Sequence, residues 1–138
     1  NGIKIIHQVG IANEKYMIDE YAKIGINVDC FGFTNKLLEK LEQSDFAVCR
    51  AGASTIWELV ALSIPALYIP YPFAAANHQY YNAKNIVDKK LGFMVEESKL
   101  NETILDKLLD FDIEKMSRGI KKLIQPNGIN TMVDKILK

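Results

Sequence analysis

Only two cysteines occur in 138 residues, Cys30 and Cys49, which leaves no material for a disulfide framework, and their spacing matches no metal-ligand pattern. Each ends a strand-like run and reads as a reduced, small core residue, which fits a reducing cytoplasm. Charge of one sign is also lacking: 17 Lys and Arg face 17 Asp and Glu. That balance removes the long-range field of a nucleic-acid binder, so no nucleic-acid partner is expected. No apolar run reaches the roughly 18 residues a membrane span needs, and the first residues lack the basic, apolar, small-residue order of a signal peptide. A glycine-rich dinucleotide fingerprint, a P-loop lysine motif and a serine-nucleophile elbow are absent as well. No internal repeat and no low-complexity linker interrupts the chain.

What is present suits one soluble globular domain, with 49% hydrophobic and 25% charged residues and a length that buries roughly two-thirds of the unfolded surface. Five apolar runs without alternation, IKIIHQV, NVDCF, FAVC, ALYI and FMVE, have the character of buried parallel strands. Helix-length segments separate them. Asn13 to Ile24 carries Met17, Ile18, Tyr21 and Ile24 at helical spacing, with Asn13 placed as N-cap and Gly25 at C′. Asn35 to Gln43 carries Leu37, Leu38 and Leu41 on one face. The expected fold class is therefore α/β, a Rossmann-like parallel sheet flanked by helices. After Glu97 the pattern turns helical only, over Leu100 to Leu109, Ile113 to Ile124 and Ile129 to Leu137. We expect one domain over 1–138, with 100–138 as a helical tail. Because the chain opens on Asn1 and runs at once into a strand, it is expected to be a piece of a longer protein.

Asp45 to Ala83 repeats one grammar twice: a short apolar strand, a loop of small or proline residues, then a helix with polar side chains in its first turns. Phe46 to Cys49 is read as strand, Ala51 to Ser54 as turn and Thr55 to Leu62 as helix; Ala66 to Ile69, Pro70 to Asn77 and His78 to Lys89 follow suit. Both helices then start at the strand ends where open α/β sheets bind ligands. Gly52, Ala53, Ser54 and Thr55 are small enough for backbone N–H groups to approach an anion at a positive helix end, a phosphate site in outline. Thr55-Ile56-Trp57-Glu58 also matches a capping box, in which Thr55 and Glu58 only satisfy backbone donors. Freed from that task, the Glu58 carboxylate could accept both hydroxyls of a ribose.

His78, Gln79 and Asn82 cluster in the first turns of the next predicted helix, and their side chains suit the mixed hydroxyls of a sugar. The alternative is a solvated first turn with Asn77 as N-cap. Tyr80 and Tyr81 read as packing residues. His7, inside a strand run, reads as a satisfied core histidine, while Gln8 and Gly10 could line the cleft. Asp110-Phe111-Asp112 resembles an Asp-x-Asp metal motif but lies between helices, with Asp112 placed to cap the next one. No metal site is expected.

The segments CRAGASTIWE and IPALYIPYPFAAANHQYYNAK, with IIHQVG and FGFTNKL upstream, resemble the donor-binding half of the MurG-type peptidoglycan N-acetylglucosaminyltransferases, glycosyltransferase family 28 with the GT-B fold. The similarity runs from near the start to about Glu96. It implies a domain that binds UDP-N-acetylglucosamine, without a cofactor or catalytic metal, in an inverting enzyme that passes the sugar to lipid I. Such an enzyme works on the cytoplasmic membrane face. By motif position, the resemblance implies that Ala53, Ser54 and Thr55, beside Gly52, meet the pyrophosphate and Glu58 the ribose. The backbone at Thr34 would meet the uracil edge, and Gln79 and Asn82 would hold the sugar hydroxyls, with His78 beside them. Arg50 also matches, either touching ligand or propping the loop. Some members of the family carry two glutamines where this chain has His78 and Gln79. The family's first donor-domain strand with its Gly-Gly-Ser loop is missing, as is the acceptor domain with its general base and membrane-contacting surface. The chain is thus expected to be N-terminally truncated and inactive alone. Another GT-B enzyme on a UDP-sugar, a 2-epimerase, and a non-catalytic donor-binding subunit remain open.

Overall fold

The computed structural model describes residues 2–104, 106 and 111–124. The chain gathers into two compact units, Asn1–Ser44 and Asp45–Lys138. All five predicted strands form, each a little shorter than its apolar run, and all pair in parallel. The expected α/β class, with helices between successive parallel strands, is what the chain adopts.

The first unit contains β1 (Ile5–Gln8), α1 (Glu14–Lys23), β2 (Val28–Phe31) and α2 (Leu37–Leu41). β1 and β2 lie side by side with Ile5 opposite Val28 and Gln8 opposite Phe31. Gly25 ends α1 as predicted: it takes a positive φ of 68°, and the N–H groups of Gly25 and Ile26 donate to Ala22 and Tyr21 at 3.1 Å each. This is the paired closure that an αL residue permits at a helix end. Asn13 does not cap α1. A 3-10 turn over Ile11–Asn13 has already bent the chain, so Asn13 turns back and its Nδ2 donates to the Val9 carbonyl at 3.0 Å. His7 is hydrogen-bonded as expected, with Nδ1 2.9 Å from the Tyr21 hydroxyl and the two rings edge to face, but it is half-buried and not part of a core.

The second unit contains β3 (Ala47–Cys49), α3 (Ala53–Ala61), β4 (Ala66–Tyr68), α4 (His78–Val87), β5 (Phe93–Met94) and α5 (Ile113–Lys121). Its strands lie in the order β3-β4-β5, with Cys49 opposite Tyr68 and Tyr68 opposite Met94. The central strand is buried at every residue, as a parallel strand covered on both faces must be. Around it pack Ile56, Leu59 and Val60 of α3, Ala83 and Ile86 of α4 and Ile120 of α5. Among the described residues, every buried apolar side chain belongs to this unit. Pro65 and Ile64 lead the chain from α3 into β4 from inside the core. Four of the ten residues of the predicted helix over Leu100 to Leu109, and all of that over Ile129 to Leu137, lie outside the described residues. No described helix is long and apolar enough to cross a membrane.

Candidate functional site

Because β3 and β4 run parallel, the loops leaving them open at the same sheet edge, and α3 and α4 begin there. The helix after β3 starts earlier than its sequence suggests. The Ile56 N–H donates to the Gly52 carbonyl at 3.0 Å, so the ladder begins at Gly52 and α3 spans Ala53–Ala61. Gly52 is the N-cap and no side chain caps the first turn. This overturns the capping-box expectation. Thr55 is already the third helical residue, and Glu58, a full turn inside, is too far along to reach back to the cap. The Glu58 carboxylate is half-buried and accepts no hydrogen bond among the described residues.

Four features of this turn suit an anion. Its leading N–H groups lack side-chain partners, and they sit at the positive end of a helix. Ala53 and Ser54 are exposed, with Thr55 half-buried behind them. Gly52 needs no glycine for the fold itself: its φ of −65° and ψ of 144° suit any residue. A side chain there would meet nothing nearer than Thr55 Oγ1 at 3.7 Å. The space beside the backbone is open.

The helix after β4 starts at His78 as predicted, but the chain enters it differently. A 3-10 turn over Ala75–Asn77 precedes α4, and Ala76 and Asn77 both take left-handed backbone, φ 48° and 54°. Asn77 therefore fails as the expected N-cap and makes no capping bond, because capping needs extended backbone at that residue. The turn is held instead by His78, whose Nδ1 lies 2.8 Å from the Ala75 carbonyl. A carbonyl only accepts, so Nδ1 carries a proton in this contact, and Nε2 is not engaged by it.

Gln79 and Asn82 each have one end committed. Gln79 Oε1 accepts the Tyr71 N–H at 2.9 Å, and Asn82 Nδ2 donates to the Ala51 carbonyl at 3.3 Å. α4 is thereby tied both to the loop after β4 and to the turn before α3. The Gln79 amide NH₂ and the Asn82 carbonyl oxygen stay available.

Arg50 props the loop. Its Nη1 lies 2.6 Å from Glu97 Oε2, with the Ile69 and Pro70 carbonyls at 3.4 and 3.5 Å and the guanidinium over the Tyr71 ring. Nothing in the sequence pointed to Glu97, which is 47 residues away and outside every motif.

Thr34 belongs to the first unit, where its Oγ1 accepts the Lys36 N–H at 3.1 Å, leaving its backbone for any other role. In the second unit, a groove of about 310 Å³ runs between α3 and α4 past Ala53, Trp57, Asn82, Asn85 and Lys89. It touches the expected site only at Ala53 and Asn82, and the turn itself is open to solvent. Burial pushes the Cys49 thiol up to about 11, so it stays protonated at neutral pH and is no nucleophile. Asp112 caps α5 as predicted, accepting the Lys115 N–H at 2.8 Å; Asp110 lies outside the described residues.

The glycosyltransferase family 28 C-terminal domain matches residues 1–131. Two relatives carry the name UDP-N-acetylglucosamine--N-acetylmuramyl-(pentapeptide) pyrophosphoryl-undecaprenol N-acetylglucosamine transferase. One, from Campylobacter hominis, is 43% identical over 99% of this chain and 40% of its own length. The other, from Sulfurovum sp. (strain NBC37-1), is 42% identical over 96% of this chain and 39% of its own. The chain spans about two-fifths of the length of these curated relatives. Among solved structures, the crystal structure of Acinetobacter baumannii MurG superposes with a TM-score of 0.82 at 25% identity, covering 98% of this chain and 41% of that one.

Proposed function

The chain belongs to the glycosyltransferase family 28 C-terminal domains, and from that premise we propose that it is the donor-binding domain of a peptidoglycan N-acetylglucosaminyltransferase. Its ligand is UDP-N-acetylglucosamine, and the sugar passes to the lipid I acceptor to make lipid II. The relatives' names support the donor and acceptor. The observation that carries the reading is the uncapped start of α3, where an exposed small-residue turn lies one helical turn from an uncommitted carboxylate.

In this reading the N–H groups of Gly52, Ala53, Ser54 and Thr55 receive the diphosphate, and Glu58 accepts from the two ribose hydroxyls. His78, Gln79 and Asn82 face the sugar, offering the imidazole Nε2, one free amide NH₂ and one free carbonyl. The acceptor hydroxyl attacks the anomeric carbon from the face opposite UDP, its proton leaves to a base outside this chain, and the bond from sugar to phosphate oxygen breaks. Negative charge then grows on the departing phosphate, where fixed N–H dipoles and a helix end stabilise it without a metal. The acceptor site, the peripheral contact with the cytoplasmic membrane face and the part in cell shape and division belong to the rest of the enzyme.

Titration calorimetry with UDP-N-acetylglucosamine tests the reading directly. The 138-residue chain is expected to bind it and UDP, and to transfer no sugar to lipid I alone. Failure to bind either nucleotide overturns the assignment of the site, whereas transfer by the isolated chain overturns the placement of the base.

A further inference from the structure

Arg50 holds together the ends of all three strands of its sheet. It follows β3 directly, and its guanidinium reaches the Ile69 and Pro70 carbonyls after β4 and Glu97 at the turn after β5. The carbonyl contacts, at 3.4 and 3.5 Å, are too long to fix the group alone. The short contact is the one to Glu97, at 2.6 Å. The neighbouring Glu96 pairs with Lys99 instead, so Glu97 is left to Arg50. The next residue in the held segment, Tyr71, lies under the guanidinium and donates its N–H to Gln79 Oε1. One connected path therefore runs from Glu97 through Arg50 and the 69–71 backbone to Gln79. The Gly52–Thr55 turn follows Arg50 after Ala51 but makes no side-chain contact on that path; its tie to α4 is the separate bond from Asn82 to Ala51.

We propose that Glu97 is a positioning residue for the sugar end of the donor site: by fixing Arg50 it sets the loop after β4 and, through Tyr71, the side chain of Gln79. The proposal rests on the donor-site reading above and adds a role outside every motif that supports it. Because only the sugar end lies on the path, the effect of Glu97 is selective. It governs how much the sugar adds to binding and leaves the hold on the nucleotide alone.

The test compares two ligands on the 138-residue chain, UDP and UDP-N-acetylglucosamine, by titration calorimetry. Replacing Glu97→Ala is expected to weaken UDP-N-acetylglucosamine by about fivefold, the most that a half-exposed ion pair allows, with UDP affinity unchanged and the melting temperature lowered by no more than a few degrees. Glu97→Gln, which keeps an acceptor for the guanidinium, is expected to fall between wild type and alanine. A merely structural residue would lower both affinities together with the melting temperature, and that outcome overturns the proposal. So does an unchanged ratio of the two affinities. Tighter UDP binding in the alanine variant also overturns it, because it would mean that Glu97 holds Arg50 back from the diphosphate. If the wild-type chain binds neither ligand, the donor-site reading itself fails, an outcome separate from all of these.

Discussion

Replacing Glu58→Gln separates a ligand-gripping carboxylate from a structural one. α3 begins at Ala53 behind an uncapped Gly52, so Glu58 lies in the second helical turn. There it cannot satisfy the backbone at the cap, and the helix-end field has largely decayed. Glutamine and glutamate have nearly equal helix propensity, and the carboxylate has no partner among the described residues to lose. The substitution should leave the melting temperature unchanged. Binding should respond strongly, because hydrogen bonds to a charged acceptor contribute roughly 1.5 to 3 kcal/mol each. Glutamine keeps one neutral acceptor, so a net loss of about 2 kcal/mol is expected, near thirtyfold in UDP affinity. Calorimetric titration with UDP beside a thermal melt reads both quantities on one sample. Unchanged affinity with a melting point lowered by a few degrees, the mark of about 1 kcal/mol of lost capping, would refute the reasoning.

Three further outcomes follow from the geometry. Gly52→Ser places a good N-capping side chain at an uncapped position, so thermal stability should hold or rise while UDP binding falls at least tenfold (about 1.4 kcal/mol); a gain or no change in affinity contradicts the phosphate role. Gly92→Ala would set a methyl 2.9 Å from the Ala66 carbonyl and 3.2 Å from the Tyr68 ring, and since backbone in a buried strand yields little, a loss of roughly 1 to 3 kcal/mol in chemical denaturation is expected. For Cys49, burial raises the thiol from 9.0 to about 11 in the folded chain. The protonated form is therefore favoured by folding, and its contribution is complete below pH 9 and lost as pH rises toward 11. That contribution is roughly 2 to 3 kcal/mol, and denaturation midpoints followed across this window should fall less for Cys49→Ala than for the wild type.

The strands and their parallel pairing were legible in the apolar runs, but only ALY at β4 is buried at every residue; β1, β2, β3 and β5 are half-buried or exposed throughout, against the expectation of buried strands. Gly25 was legible for an equally local reason, since few residues other than glycine readily take the left-handed turn that closes α1. The helix starts were legible only in part: Asp112 caps α5 and α4 begins at His78 as read, but the start of α3 and the role of Asn77 were not. Thr55 and Asn77 have the chemistry of caps, yet Gly52 began α3 first, and a 3-10 turn left Asn77 left-handed. Capping preferences differ by about 1 kcal/mol, which the packing of Ile56, Leu59 and Val60 into the core readily outweighs.

Local order in the chain thus determined the α/β class, the alternation of strand and helix, and the residue types gathered at one sheet edge. Tertiary structure decided which of them are free: Glu58 released from capping, Gln79 and Asn82 half-committed to backbone, Arg50 drawn onto Glu97. The physical reason is range. Propensity and periodicity act over a few neighbouring residues, whereas the contact between Arg50 and Glu97 spans 47 positions and exists only once β3, β4 and β5 lie side by side.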